Sequence, residues 1–491
     1  MIVGVDIGTQ TLKVCLLDGD MRVRGRAARR YPLQYPQPGW VEQDPGLWEA
    51  ALAPAVAESL AGAGAEPGDV KAIGFCGQLD GCIAVDADGA PLSPCLTWID
   101  RRACAEIADI PAAVIRETGG LVLDPSHLAA KARWLKRHAA AARPIARFHQ
   151  PVSYLVERLT GTAVIDHSLA STSMGYDLAR KAYDPALLAR FGLSLEELPR
   201  IAAAESLAGT LTEQGAAIAG LPRGIPVAVG TGDDFATPLG GGLVTPGRVA
   251  VSLGTGEVVG ALHPTPLRDY GAMVETHAYP GGAYFIENPG WLGGGALAWL
   301  ATILQMSDFA AMDGLAADVS AGCDGVTFIP ALSGAMAPRW EPHAKGCFYG
   351  LAPSHGRGHM IRAVLEGCAF AMRDVVDHLA ALGVGTDSLL LLGGGARSGV
   401  WTQMRVDIAK RGAEVPANVD CAPIGAALLA AVAIGTFDDL ASAVQSVQRG
   451  MRHLAPDTNT AAAYDAAYGR YRELFQSLTP LFAAAADARP T

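Results

Sequence analysis

Ile2-Val3-Gly4-Val5-Asp6-Ile7-Gly8-Thr9-Gln10-Thr11 opens the chain, and Arg248-Val249-Ala250-Val251-Ser252-Leu253-Gly254-Thr255-Gly256 lies half a sequence away. Each is an apolar, β-branched run that stops at a small polar residue and turns through Gly-Thr. Apolar residues resume afterwards, Leu12 to Leu17 in one copy and Val258 to Leu262 in the other. The pattern is a hairpin whose tip carries glycine, hydroxyls and backbone N–H groups. Such a tip is an anion-binding concavity. Two of them facing each other across a cleft can hold the β- and γ-phosphates of one nucleotide. A single Gly-Thr hairpin is an ordinary turn; a matched pair, each opening half of a long chain, argues a duplicated fold.

The length of 491 residues exceeds what one core supports, so two domains are expected. We place the boundary at the turn Leu243 to Gly247, giving 1–246 and 247–491. Half the residues are hydrophobic, which excludes a disordered chain. The 58 glycines include the triplets Gly240-Gly241-Gly242, Gly293-Gly294-Gly295 and Gly393-Gly394-Gly395, suited to close backbone approach or helix starts. A net charge of −11 argues against nucleic acid and anionic membrane as partners. The basic run Arg22 to Arg30 reads as a solvated hairpin face. Nine scattered cysteines without a CxxC read mostly as buried thiols. The first residues enter a strand at once, with no signal peptide and no membrane span, so a cytoplasmic protein is expected.

Strands are expected near 2–7, 12–18, 71–76, 82–86, 227–230 and 388–392. Helices are expected at 45–62, 126–139, 151–160, 235–243, 359–382, 401–410, 425–434 and 461–486. Strands alternating with helices argue α/β layers.

The chain has no Gly-Lys dipeptide, hence no Walker A loop, so phosphate binding rests on the two hairpins. Asp6 ends a buried strand at the first tip and can orient a hydrated Mg²⁺, or cap its own turn. Thr9, Thr11 and Lys13 add donors there, with Thr255 and Gly256 opposite. Asp233-Asp234 follows a strand ending in Gly-Asp and precedes a small-residue helix. An alcohol attacking a γ-phosphate needs a base that orients it and accepts its proton. An N-cap role is the plainer alternative for either aspartate. Gly77-Gln78-Leu79-Asp80-Gly81 and Trp98-Ile99-Asp100-Arg101-Arg102 bring amide, carboxylate and guanidinium groups to two loops, which suits a polyhydroxylated ligand. Gly393 to Ser398 leaves a strand for a helix and allows flat contact with a purine and ribose. Gly293 to Ala298 has the GxGxxA form of a dinucleotide loop, without a framing βαβ unit.

These residues resemble the FGGY carbohydrate kinases of the sugar kinase/Hsp70/actin superfamily over nearly the whole length, most of all the xylulose kinases. The motifs are GVDIGTQTLK (4–13), WVEQDP (40–45), GQLDG (77–81), TWIDRRA (97–103), GTGDD (230–234), VSLGTG (251–256), AKGCFYGL (344–351), RAVLEG (362–367) and LLLGGGARS (390–398). The segments His127 to His138 and Gly346 to Glu366 match family signatures as well. The resemblance implies an α/β fold of two ribonuclease H-like domains around a deep cleft, with sugar in the first and ATP against the second. It implies Asp233 as catalytic base, Asp6 near Mg²⁺, and Gly8, Thr9, Thr11 and Lys13 in the first phosphate loop. It implies Gly254, Thr255 and Gly256 in the second loop. Gly393, Gly394, Gly395, Ala396 and Ser398 fall at the adenosine, with Gly425 near the base or ribose. Gln78, Leu79, Asp80, Asp100, Arg102 and Asp234 fall at the sugar. Xylulose kinases usually read Gln-Met-His-Gly, Trp-Asn-Asp and Gly-Asp-Asn where this chain has Gln78-Leu79-Asp80-Gly81, Trp98-Ile99-Asp100 and Gly232-Asp233-Asp234. Glycerol and erythritol kinases carry an acid matching Asp80, so another pentulose or a polyol stands beside D-xylulose as substrate.

The expected function is therefore ATP- and Mg²⁺-dependent phosphorylation of a ketopentose, in a protein that is free to form a homodimer. One rival is a nucleotide-switched binding protein of the actin/Hsp70 type. Another is a nicotinamide dehydrogenase built on 293–298.

Overall fold

The computed structural model describes residues 1–138, 143–447 and 450–487. Two sheets carry one strand plan. In the first, β1 (Ile2–Ile7), β2 (Thr11–Leu17) and β3 (Val23–Arg30) form an antiparallel meander. β4 (Ala72–Gly77) lies parallel to β1, and β5 (Pro226–Ala228) lies parallel to β4. In the second, β6 (Gly247–Leu253), β7 (Gly256–His263), β8 (Glu275–Ala278) and β9 (Tyr284–Leu292) are antiparallel neighbours in the order β8-β9-β7-β6. β10 (Thr386–Leu392) and β11 (Ala413–Val415) then continue parallel to β6. The order β3-β2-β1-β4-β5 thus recurs as β9-β7-β6-β10-β11. This is the doubled plan that the paired hairpins predict, and it agrees with the two ribonuclease H-like domains that the resemblance implies.

The central strands are apolar without alternation because helices cover both faces; every residue of β1 and β4 is buried. Parallel pairing puts the carboxyl ends of neighbours side by side, Ile7 with Gly77 and Ser252 with Leu392. The loops that follow β4 and β10 therefore start beside the two Gly-Thr tips.

Five helices matter for the site: α1 (Leu128–His138), α2 (Asp233–Gly240), α3 (Gly294–Ile303), α4 (Gly399–Ala409) and α5 (Ala422–Ala433). Residue 139, the expected end of α1, lies outside the described residues. α2 begins two residues earlier than the small apolar run suggests, so both aspartates are helical. Although α5 belongs to the second half of the chain, it packs on the first sheet. A Cβ at Gly4 would fall 1.8 Å from Pro423 O, and one at Gly74 1.8 Å from Ala426 O. Gly425 sits in the same seam, where a Cβ would be 2.0 Å from Ala236 O of α2. Gly425, expected near the base or ribose, here lets two helices touch.

All nine cysteines are free and seven are buried, as their apolar settings predict. Among the described residues no helix is long and apolar enough to cross a membrane.

Candidate active site

The first tip is built by local bonds and braced from three sides. Gly8 N donates to Thr11 O at 3.1 Å, closing the turn. The Tyr31 hydroxyl donates to Gly8 O (2.7 Å), Gln43 Nε2 to Thr9 O (2.8 Å) and Trp98 Nε1 to Thr9 Oγ1 (3.0 Å). With the Gly8 N–H and these acceptors taken, the hydroxyl hydrogens of Thr9 and Thr11 remain to donate to an anion. Lys13 pairs with Asp6 in the strand register, and its Nζ lies 3.6 Å from Asp6 Oδ2 and 3.1 Å from Asp420 Oδ1. Asp6 is buried, and its Oδ1 has no hydrogen-bond partner. Burial pushes the Asp6 carboxyl up to about 7, against the pull of Lys13 and with help from the charge of Asp233. An orphaned buried carboxylate oxygen beside a phosphate cradle fits a hard divalent cation. Among the described residues no three ligating side chains converge on one point, so such an ion would take the rest of its shell from phosphate and water.

The second tip is exposed at Gly254, Thr255 and Gly256. Gly254 N donates to Gly256 O at 3.0 Å. The N-terminus of α3 is bonded to this tip, Gly294 N to Gly254 O (3.0 Å) and Gly295 N to Thr255 O (2.9 Å). A Cβ at Gly294 would lie 2.4 Å from Gly254 O, so the approach needs glycine. This accounts for the GxGxxA match at 293–298. Its strand, β9, is antiparallel to both neighbours, and the glycines seat a helix against the phosphate hairpin rather than forming a βαβ unit.

Gly393 has φ +81°, and a Cβ there would lie 2.8 Å from Leu253 O, so this loop too is pressed against the second tip. Beside it opens a cavity of about 520 Å³ lined by Ala396, Arg397, Asn418 and Val419, with Arg452 and, from the first sheet, Arg26. Arg26 belongs to the run expected to be a plain solvated face; it instead shares a cavity with the glycine loop. Ser398, expected at the adenosine, caps α4, its Oγ accepting from Trp401 N at 2.9 Å.

Asp233 is the first residue of α2, with Gly232 as N-cap and no side-chain cap bond, so neither aspartate is the N-cap. The strand end before it is anchored by Thr231 Oγ1 donating to Asp166 Oδ2 at 2.9 Å. Burial pushes the Asp233 carboxyl up to about 7; the charge of Asp234 adds to this, and backbone N–H bonds and Lys13 oppose it. Burial and the charges of Glu287 and Asp80 hold Asp234 well above the carboxylate range. A carboxyl poised near neutrality at a helix N-terminus can accept a proton from an alcohol.

On the other side, Gln78 continues β4. Its N donates to Ile7 O at 2.9 Å and its Nε2 to Gln43 Oε1 at 2.9 Å, while the buried Oε1 has no partner. Leu79 packs on the Gly232 turn, where a Cβ would meet Leu79 Cγ at 2.9 Å. Asp80 adopts φ +57°, which an aspartate tolerates, and Gln150 Oε1 accepts its N–H at 2.9 Å. Asp80 Oδ2 lies 3.1 Å from His127 Nδ1 at the start of α1. Asp100 and Arg102 were expected at the ligand, and the structure assigns them elsewhere. Asp100 is fully buried and accepts from Val41 N, Arg102 N and the Arg102 guanidinium. Arg102 also pairs with Glu42 at 2.8 Å and lies 3.8 Å from the Trp40 ring centroid. Both are spent in holding the Trp98 loop, whose exposed indole stands over Thr9.

Three buried ionisable residues near Asp80 and Asp234 escape the sequence patterns: Glu275, His277 and Glu287, on β8 and β9. The signal that could have found them is charge inside strand-like runs, Val274-Glu275-Thr276-His277-Ala278 and Tyr284-Phe285-Ile286-Glu287.

Residues 1–240 match the N-terminal domain of the FGGY family of carbohydrate kinases and residues 249–434 its C-terminal domain. A xylulose kinase of Escherichia coli (strain K12) is 32% identical over 490 residues, 98% of this chain and 100% of that one. A glycerol kinase of Gloeobacter violaceus is 34% identical over 457 residues, 90% of each chain. The crystal structure of xylulose kinase from Rhodospirillum rubrum matches with a TM-score of 0.85 at 30% identity, over 98% of this chain and 99% of that one.

Proposed function

Because this chain belongs to the FGGY family of carbohydrate kinases, we propose that it transfers the γ-phosphoryl of ATP to the terminal hydroxyl of D-xylulose, giving D-xylulose 5-phosphate. The observation that carries the proposal is the Asp233 carboxyl at the head of α2, raised toward neutrality and within electrostatic reach of Asp6. The acceptor lies between Gln78, Asp80, Asp234 and Asp233. Asp233 takes the hydroxyl proton as the oxygen attacks phosphorus. The two tips, Gly8 to Thr11 with Lys13 and Gly254 to Gly256, surround the transferring group with donors. The glycine loop 393–395 and Ala396 take the adenosine toward the cavity with Arg26 and Arg397. Mg²⁺ would be held by Asp6 and would neutralise phosphate charge. The sugar site falls in 1–246 and most of the nucleotide site in 247–491. A cytoplasmic location follows from the use of ATP.

Asp80 favours a second reading. A carboxylate accepts hydroxyl donors, and this one already has His127 as a donor partner. A polyol such as glycerol or erythritol, all hydroxyl and no carbonyl, suits it. An ATP-turnover screen over D-xylulose, D-ribulose, erythritol and glycerol decides. We expect the highest kcat/KM for D-xylulose; a maximum for either polyol would replace the ketose with the polyol. No turnover with any of them would remove both.

A further inference from the structure

One set of buried charges is left unused by the phosphate and base assignments, and it crosses from one domain to the other. Asp80 Oδ2 is 3.1 Å from His127 Nδ1, and His127 Nε2 is 4.0 Å from Glu275 Oε1. His277 Nε2 is then 3.7 Å from Glu275 Oε2 and 3.1 Å from Glu287 Oε1. Glu275 and Glu287 are directly opposed in the β8–β9 register, so two carboxyls stand side by side, a pairing that opposes sheet stability. Among the described residues Asp80 Oδ1, His277 Nδ1 and Glu287 Oε2 are buried without a hydrogen-bond partner. His277 and Glu287 are each 2% exposed. The cluster lies within electrostatic reach of Asp233 and Asp234. The His277 ring centroid lies 5.6 Å from that of Phe235, two residues beyond Asp233. Burial, Glu275, Asp80 and Asp233 together hold the Glu287 carboxyl well above its usual range. The nearby Lys131 is held against the Asp80 loop, its Nζ donating to the carbonyls of Asp80 and Ser126.

Unsatisfied buried polar atoms around a reaction centre mark places where a ligand supplies the missing partners. We propose that Glu287 and His277 complete the acceptor subsite from the second domain and select an uncharged, hydroxyl-bearing acceptor over one that carries a carboxylate. Hydroxyl groups donate to Glu287 Oε2 and Asp80 Oδ1. A carboxylate in the same place would meet the charge of Asp80 and the raised carboxyls of Asp234, Glu275 and Glu287, while the His127 imidazolium is already paired with Asp80. This inference rests on the sugar-kinase reading and adds its substrate class.

The test compares wild type with Glu287→Gln, measuring kcat and KM for D-xylulose, glycerol and D-gluconate, and KM for ATP. Wild type should use a neutral acceptor and give no measurable turnover with D-gluconate. Glu287→Gln should raise the neutral acceptor's KM by roughly 10–100-fold, the range for losing a buried polar contact, with KM for ATP unchanged. If Glu287→Gln does not fold, His277→Asn carries the same expectation. Comparable wild-type use of D-gluconate, or a folded variant with unchanged acceptor KM, overturns the inference and leaves the kinase reading standing. A wild type that phosphorylates no acceptor overturns both.

Discussion

In the proposed reaction Asp233 is the residue on which the chemistry turns. A base must be ionised to accept a proton, and its carboxyl is pushed up to about 7. kcat/KM should therefore rise with pH on a limb centred near 7 and fall about tenfold per unit below it. Asp233→Asn should remove this limb and lower kcat by roughly 10²–10⁴-fold while ATP still binds. A pH-independent wild type, or a variant of near-normal rate, would move the base elsewhere, with Asp234 the next candidate. Asp6→Ala should weaken Mg-ATP use and leave acceptor binding measurable by calorimetry; loss of acceptor binding with intact nucleotide binding would reverse the two sides of the cleft. Both aspartates are legible in the sequence because each sits at the end of an apolar run beside glycine. Asp100 and Arg102 are misread for a physical reason. Composition shows that carboxylate and guanidinium are near each other in sequence, but not that they bond to each other and leave nothing for a ligand. Arg26 escapes for the opposite reason: an exposed strand arginine looks alike whether it faces bulk water or a cavity shared with another domain.

The hairpins are the elements that can be read most directly, since a β-branched run, a Gly-Thr turn and a second apolar run are all local. What they rest on is less visible. Directly after the second tip, Glu257 forms a two-pronged pair with Arg405 of α4, at 2.5 and 2.7 Å, with both residues wholly buried. Arg405 also lies 4.6 Å from the Trp401 ring centroid. Glu257→Ala strands a buried guanidinium, so the protein should lose about 3–5 kcal/mol of stability in denaturant titration. A loss below about 1 kcal/mol would mean that water reaches the pair. No sequence pattern joins residues so far apart. The same holds for α3: its glycines read as a weak dinucleotide loop, and only the antiparallel setting of β9 shows that they hold a helix start against the phosphate tip.

For the molecule as a whole, the duplicated plan is legible because the duplicated hairpin is. The join is not. α5 belongs by sequence to the second half but packs on the first sheet through Gly4, Gly74 and Gly425, where contact replaces side chains and leaves no hydrophobic signature. In the proposed reaction the acceptor and nucleotide groups come from both halves, so we expect the domains to close on each other and keep water from the phosphoryl group. Small-angle scattering should show a smaller radius of gyration with a non-hydrolysable ATP analogue and acceptor together than with neither; an unchanged radius would argue against closure. The most direct test of the central claim is to incubate the purified protein with Mg-ATP and D-xylulose and follow the product by ³¹P NMR. The account predicts a new phosphate-monoester resonance on the terminal carbon, formed in equal amount with ADP and absent for Asp233→Asn. ADP released with inorganic phosphate alone, or no ADP with any alcohol acceptor, would contradict it.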